Sequence, residues 1–266
     1  MNFPPGFLEI GFVSDDVTEI VPDIRAANAA WFALADDTNA ALMEAANHGQ
    51  TNVRENLWAV GSIAVRILMR TCGAMQALII LAERGMLTES RTMARNILEN
   101  SICIAALHDE SEKFTKILQD DSNASQQRQR NFILAQKMIK DENKEENLKK
   151  IIEEVGRVGS MNLKEIAAMG PFSEYYLYYQ RVSDDASHLT ARSLNKYVSR
   201  DKKTNAFSYL WKISSTEETS STLHSAIMSA LAVGIAFTQI TKDAERNEKF
   251  GILVSRFEEM PNVQFI

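Results

Sequence analysis

The sequence predicts an all-α protein: a helical bundle built on long antiparallel helices, with a protruding charged helical arm. Three observations predict it. Of 266 residues only 11 are glycine and 5 proline, too few for a turn-rich sandwich or barrel. Apolar residues recur at three- and four-residue steps, as in Leu57, Val60, Ala64, Ile67, Leu68, Met75, Leu78 and Ile79, the period of a helix with one buried face. A hydrophobic content of 45% is enough to fill a core in a chain of this length.

Taken in order, residues 1–14 lack any period and read as an extended N-terminal arm, followed by a single bundle domain over 15–246. The first helix starts near Ser14 or Asp23, since Pro22 fits only a first turn, and runs to Asn47. Residues 47–52, NHGQTN, have turn chemistry. A second helix runs from Asn52 to Arg84 and is closed by Gly85. The third follows Thr88 as N-cap and continues to about Leu107. Between Thr92 and Leu107 its only charged residues are Arg95 and Glu99, and apolar residues surround them on nearly every side, which marks a central helix. A charge placed there must be paired, because an unpaired buried charge is strongly destabilising.

From 109 to 154 the chain turns polar and charged while staying helical, with a break expected at 120–123. This is the arm, either solvated or docked on a protein partner. Asn162 and Glu165 form a capping-box pattern for a short helix ending near Gly170, and Pro171 is placed to open a tyrosine-rich helix. Residues 199–205, SRDKKTN, read as a basic loop. Ser215, followed by Glu217 and Glu218, starts the last long helix, to about Arg246. Residues 247–266 form a tail apolar enough to dock.

Composition bounds the function. A net charge of −6 argues against nucleic-acid binding over the whole surface but leaves room for a local basic patch. Cys72 and Cys103 sit in apolar helical surroundings and read as free core thiols of a reducing compartment. The first residues lack the basic and apolar regions of a secretory signal, so a cytoplasmic location is expected. Residues 219–241 carry no charge, but their strongly apolar part, Ile227 to Phe237, is too short to span a bilayer. A buried helix and no membrane partner are expected.

There is no P-loop, GxGxxG, GxSxG, HExxH or CxxC pair, and no cofactor is expected. His48, His108, His188 and His224 lack ligand spacing, and no Glu-x-x-His pair occurs, so no metal is expected. The residues able to do chemistry cluster in 175–198, YYLYYQRVSDDASHLTARSLNKYV. Arg181 and His188 lie seven apart, on one face of a continuous helix, and Asp184 lies four before His188, able to hold its ring. A guanidinium binds phosphate bidentately, and an imidazole moves a proton near neutral pH. RNA cleavage through its own 2′-hydroxyl needs little more. A plainer reading gives only the surface pairs Arg181–Asp185 and Asp184–His188. Tyr175 and Tyr179 likewise read as a core stripe or, secondarily, as stacking platforms for bases.

The same residues carry a resemblance. Arg95-Asn-Ile-Leu-Glu99 among apolar residues, then Tyr179-Gln-Arg-Val-Ser183 and His188, resemble the motifs of an uncharacterised bacterial helical family, domain of unknown function 5677. The likeness covers roughly residues 55–240 and implies no activity. Separately, Arg181-x6-His188 is similar to the loose Arg-x4–6-His motif of the HEPN superfamily, all-helical domains that include many metal-independent ribonucleases of toxin–antitoxin and anti-phage systems, usually dimeric. This chain is longer than a single HEPN domain and has Val182 where a polar residue usually follows the arginine.

That resemblance implies Arg181 and His188 as the catalytic pair, with RNA as substrate and a second copy across a dimer. Arg95, Glu99, Asp184, Ser183 and Tyr179 would support the site. The alternative is a non-catalytic interaction protein or assembly subunit, docking through 109–154, in which Arg95, Glu99 and His188 form a structural network. Whether the helix of Arg95 meets the helix of Tyr179 separates a single site from two unrelated motifs.

Overall fold

Long amphipathic helices hide their apolar stripes only by packing on one another, and this requirement organises the chain. A computed structural model describes residues 3–155, 159–184 and 189–263. Its helices in chain order are α1 (Phe7–Ile10), α2 (Val21–Ala27), α3 (Ala29–Asn52), α4 (Val60–Glu83), α5 (Leu87–Asp109), α6 (Ser111–Ala135), α7 (Glu142–Val155), α8 (Leu163–Ala167), α9 (Tyr175–Val182), α10 (Ala191–Leu194), α11 (Thr216–Thr241) and α12 (Ala244–Glu258). The strands β1 (Val198–Arg200) and β2 (Phe207–Tyr209) form one antiparallel hairpin. Among the described residues the protein is all-α apart from that hairpin.

The core is made by α3, α4, α5 and α11, with α5 packed against both α4 and α11. As its composition predicts, α5 is central: Ile97, Ile102, Ile104 and Leu107 are all buried. Cys72 of α4 and Cys103 of α5 are buried free thiols, and burial pushes them up to about 11 and about 12 respectively. By length and composition α4 and α11 could cross a membrane, but their most apolar windows are 56% and 67% buried against the rest of the chain.

Several element boundaries differ from the sequence reading. Helix α3 runs straight through NHGQTN to Asn52. Gly49 serves packing rather than a turn, since a Cβ there would lie 2.7 Å from the Phe237 ring. The Thr51 hydroxyl and Asn52 amide donate back to the carbonyls of Asn47 and His48, satisfying the last turn. The second helix therefore begins only at Val60, and Leu57 is 70% exposed instead of joining the core. Gly85, at φ 76°, does close α4, with Met86 N–H donating to Leu81 O at 3.0 Å, a left-handed C-cap. Thr88 lies inside α5, which has no side-chain cap.

In the arm, α6 is unbroken across 120–123 and the interruption falls instead between Ala135 and Glu142. Phe114 and Ala124 are buried and Ile117 and Leu118 pack half-buried against the core, anchoring the first half of the helix. Asn162 caps α8 by accepting from Lys164 N–H at 3.1 Å; its amide, rather than its backbone, bonds Glu165, so the reciprocal box does not form. The tyrosine helix begins at Tyr175, after a turn holding Pro171. Ser215 starts α11 as expected, and it and Glu218 form a reciprocal cap. That helix ends at Thr241, where Lys242 adopts the left-handed region, and residues 244–258 fold back as α12 against α11 and α3.

Candidate functional site

Helix α9 is eight residues long and has no side-chain cap at its N-terminus. So short a helix is marginal on its own and is held by its neighbours: Tyr175, Tyr176 and Tyr179 are half-buried against the core, and the helix packs on α5. Tyr176 and Tyr179 stack at 5.9 Å between centroids. Burial raises the Tyr175 hydroxyl above its usual range, with Tyr178 adding to the effect. The core-stripe reading of the tyrosines is the one the packing follows.

The two motifs meet. Arg95, projecting from α5, donates from Nε to Ser183 Oγ at 2.8 Å and from Nη2 to the Tyr179 hydroxyl. Its guanidinium carbon lies 4.6 Å from the Tyr179 ring centroid. Ser183 is buried at the end of α9. One turn along α5, Glu99 Oε2 stands 3.8 Å from Arg95 Nη1, too long for a hydrogen bond but within reach of electrostatic attraction. The Arg95 and Glu99 side chains are 18% and 17% exposed, so the pair sits at the rim of the core.

Glu99 leans further toward α4. Its Oε1 is 3.4 Å from both Nη1 and Nη2 of Arg70. Arg70 Nη1 also donates to Asn100 Oδ1 at 2.8 Å, and the Asn100 amide donates to Thr71 Oγ1 at 3.0 Å. Thr71 in turn donates to Ile67 O. A continuous polar chain thus joins α4, α5 and α9, with fully buried Asn100 and Thr71 at its inner end. Sequence reasoning missed Arg70, Asn100 and Thr71. The available signal was Asn100 itself: an amide beside Glu99 in a helix apolar all round must find partners, and the nearest helix in sequence supplies them.

Arg181 lies in the last turn of α9, exposed to solvent. A cation there complements the partial negative charge of the helix end. Asp184 is also exposed, and its backbone carbonyl accepts the Thr190 hydroxyl at 2.7 Å. His188 lies outside the described residues, as do Asp185 and Ser187. Arg95, Glu99, Tyr179 and Ser183 are therefore brought together, while Arg181 stands on the outer side of the same short helix. Chemically the cluster is a clamp: each of the Arg95 nitrogens Nε and Nη2 is bonded and Nη1 faces Glu99. What it holds is the end of α9, from which the chain passes to His188.

A second feature was not foreseen. Between α5, α11, α12 and the Pro171–Tyr175 turn lies an open apolar groove of about 480 Å³. At its mouth His108 Nδ1 and Asp109 Oδ1 are 2.5 Å apart. Among the described residues no three His, Cys, Asp or Glu side chains converge as metal ligands.

The match to known families agrees with this geometry. Residues 61–205, more than half of the chain, match the model of a family of unknown function, DUF5677. The chain belongs to that family. The DUF5677 region runs from the start of α4 to the turn after β1, and so includes every residue of the Arg70–Glu99–Arg95–Tyr179–Ser183 chain, while α3, β2, α11 and α12 lie outside it and α3, α11 and α12 complete the core. Curated proteins and solved structures gave no match.

Proposed function

We propose that the chain is a metal-independent, ribonuclease-like effector of a bacterial defence or toxin system, acting in the cytoplasm on RNA through Arg181 and His188. The observation that carries this reading is the clamp. Arg95 fixes Tyr179 and Ser183, the residues on either side of Arg181 along α9, and so sets the direction in which Arg181 faces solvent and the point from which the chain continues to His188.

In this reading Arg181 holds the non-bridging oxygens of a phosphodiester and stabilises the charge that builds on them. His188 takes the proton of the neighbouring 2′-hydroxyl. The 2′-oxygen bonds to phosphorus and the bond to the 5′-oxygen breaks, leaving a 2′,3′-cyclic phosphate. The departing 5′-oxygen takes its proton from His188 of a second chain in a homodimer. Asp184, Glu99 and Arg95 position rather than react.

One observation favours a second reading, a non-catalytic interaction protein. The Arg95 network is already satisfied without a ligand, as a structural joint would be, and the outer face of the α6–α7 arm offers a surface for a protein partner. Expression of the wild type and of His188→Ala separates the two. Growth arrest with RNA breakdown in the wild type alone supports catalysis. Equal growth and intact RNA in both would sink it.

A further inference from the structure

The bundle leaves one segment unexplained, the hairpin between α10 and α11. From Leu189 to Lys212 the sequence has six basic residues and one acid, in a chain whose net charge is −6. The single acid is engaged in the turn: Asp201 Oδ1 accepts from the backbone N–H of Lys203 at 2.7 Å and of Thr204 at 3.1 Å, which holds its carboxyl below the usual range. Asn205, at φ 58°, closes the turn. Arg200, Lys202 and Lys203 are all exposed at this tip.

The strands present rings beside that charge. Val198 pairs with Tyr209 and Arg200 with Phe207, so these four share one face of the hairpin. That face is not covered: Phe207 is 66% and Tyr209 82% exposed, and Trp211, two residues on, is 59% exposed. Tyr197, Tyr209, Leu210 and Trp211 line a notch of about 300 Å³. Bare rings of this size next to a cationic turn are poorly suited to water and well suited to planar, negatively linked ligands.

We propose that the β1–β2 hairpin binds single-stranded nucleic acid, its bases stacking on Phe207, Tyr209 and Trp211 while Arg200, Lys202 and Lys203 neutralise the phosphates. A duplex keeps its base faces covered and cannot use the rings. The surface itself stands on the hairpin; only the naming of RNA as the strand it serves rests on the ribonuclease reading.

The full-length His188→Ala chain serves as the binding form, so that cleavage cannot consume the probe. A labelled oligouridine of roughly 12 nucleotides, matching the reach of one small stacking surface, is titrated as RNA and as DNA beside an RNA duplex of equal length. Either single strand should bind at least about tenfold more tightly than the duplex, and Phe207→Ala and Tyr209→Ala should each weaken binding by about tenfold. The Lys202→Ala/Lys203→Ala double variant should flatten the log–log salt slope by about 1.4. These side chains are exposed, so the helical circular dichroism should be unchanged. Equal affinity for duplex, or ring variants that bind as the parent does, would overturn the proposal. So would a change in oligomeric state on Phe207→Ala with binding intact, which would make the hairpin an interface between copies. A wild-type chain that binds in this way but does not cleave removes the catalytic reading alone; one that cleaves without needing the rings removes this inference alone.

Discussion

Arg95 lies with its guanidinium 4.6 Å from the ring centroid of Tyr179, a residue 84 positions further along the chain. The contact ties the central helix to the short one that carries Arg181. It combines a charge-assisted hydrogen bond with a cation–π contact, and both strengthen where water is partly excluded. Arg95→Ala should therefore cost about 2 kcal/mol of stability and Tyr179→Phe, which keeps the ring, about 1 kcal/mol. Urea unfolding of the two single variants and the double variant checks this. The double variant should fall short of additivity by at least about 0.5 kcal/mol; strict additivity would mean the two residues do not interact in solution.

Asn100 is the buried hub between Arg70 and Thr71. Asn100→Ala should destabilise by about 1–3 kcal/mol, because it leaves a buried hydroxyl and a guanidinium short of a partner. Arg70→Ala, at a side chain 55% exposed, should cost less, about 1 kcal/mol or under. If the order of the two is reversed in thermal unfolding, the polar chain is not held from its inner end.

Helices α11 and α12 approach closely at Gly234, where a Cβ would stand 2.3 Å from the Phe250 ring. Gly234→Ala should destabilise by about 1–3 kcal/mol despite the better helix propensity of alanine. Adding Phe250→Leu should recover part of that loss, measured as a gain in melting temperature of the double variant over Gly234→Ala. No recovery would place the strain elsewhere.

The pH behaviour follows from His224, half-buried between Trp31 and Phe257, whose protonation burial disfavours relative to the ordinary value of 6.5. With the folded-state value depressed, the unfolded chain binds the proton more readily. The contribution of His224 is thus complete above about pH 6.5 and is lost as pH falls through the lower, folded-state value. His224→Phe should flatten the acid side of the stability profile between pH 7 and 5. The thiols follow the same physics: Cys72 and Cys103, raised to about 11 and about 12, should resist alkylation at pH 8 until the protein is unfolded.

Much of this architecture was legible in the sequence, and the exceptions have physical causes. The apolar period and paucity of glycine and proline found α4, α5 and α11, because helix burial is written in every third or fourth residue. The run of NHGQTN misled, because Gly49 is there for the Phe237 ring on a distant helix, which no local pattern reveals. The hairpin was read only as a basic loop; strands of three residues are too short to show alternation. In the site, Arg95 and Glu99 stood out as charges in an apolar helix, while Tyr179 and Ser183 were marked only by the resemblance to the family. Arg70 did not stand out, because it is one of two arginines on α4 and its choice of Glu99 depends on how α4 and α5 pack.

The catalytic proposal is tested most directly on purified chain in excess EDTA, with a labelled RNA and mass spectrometry of the fragment ends. Wild type should release fragments with 2′,3′-cyclic phosphate and 5′-hydroxyl ends. Arg181→Ala and His188→Ala should each slow cleavage at least about 100-fold, while Arg95→Ala should act in proportion to its loss of structure. Intact RNA with all four proteins, or equal cleavage by wild type and His188→Ala, would contradict the account.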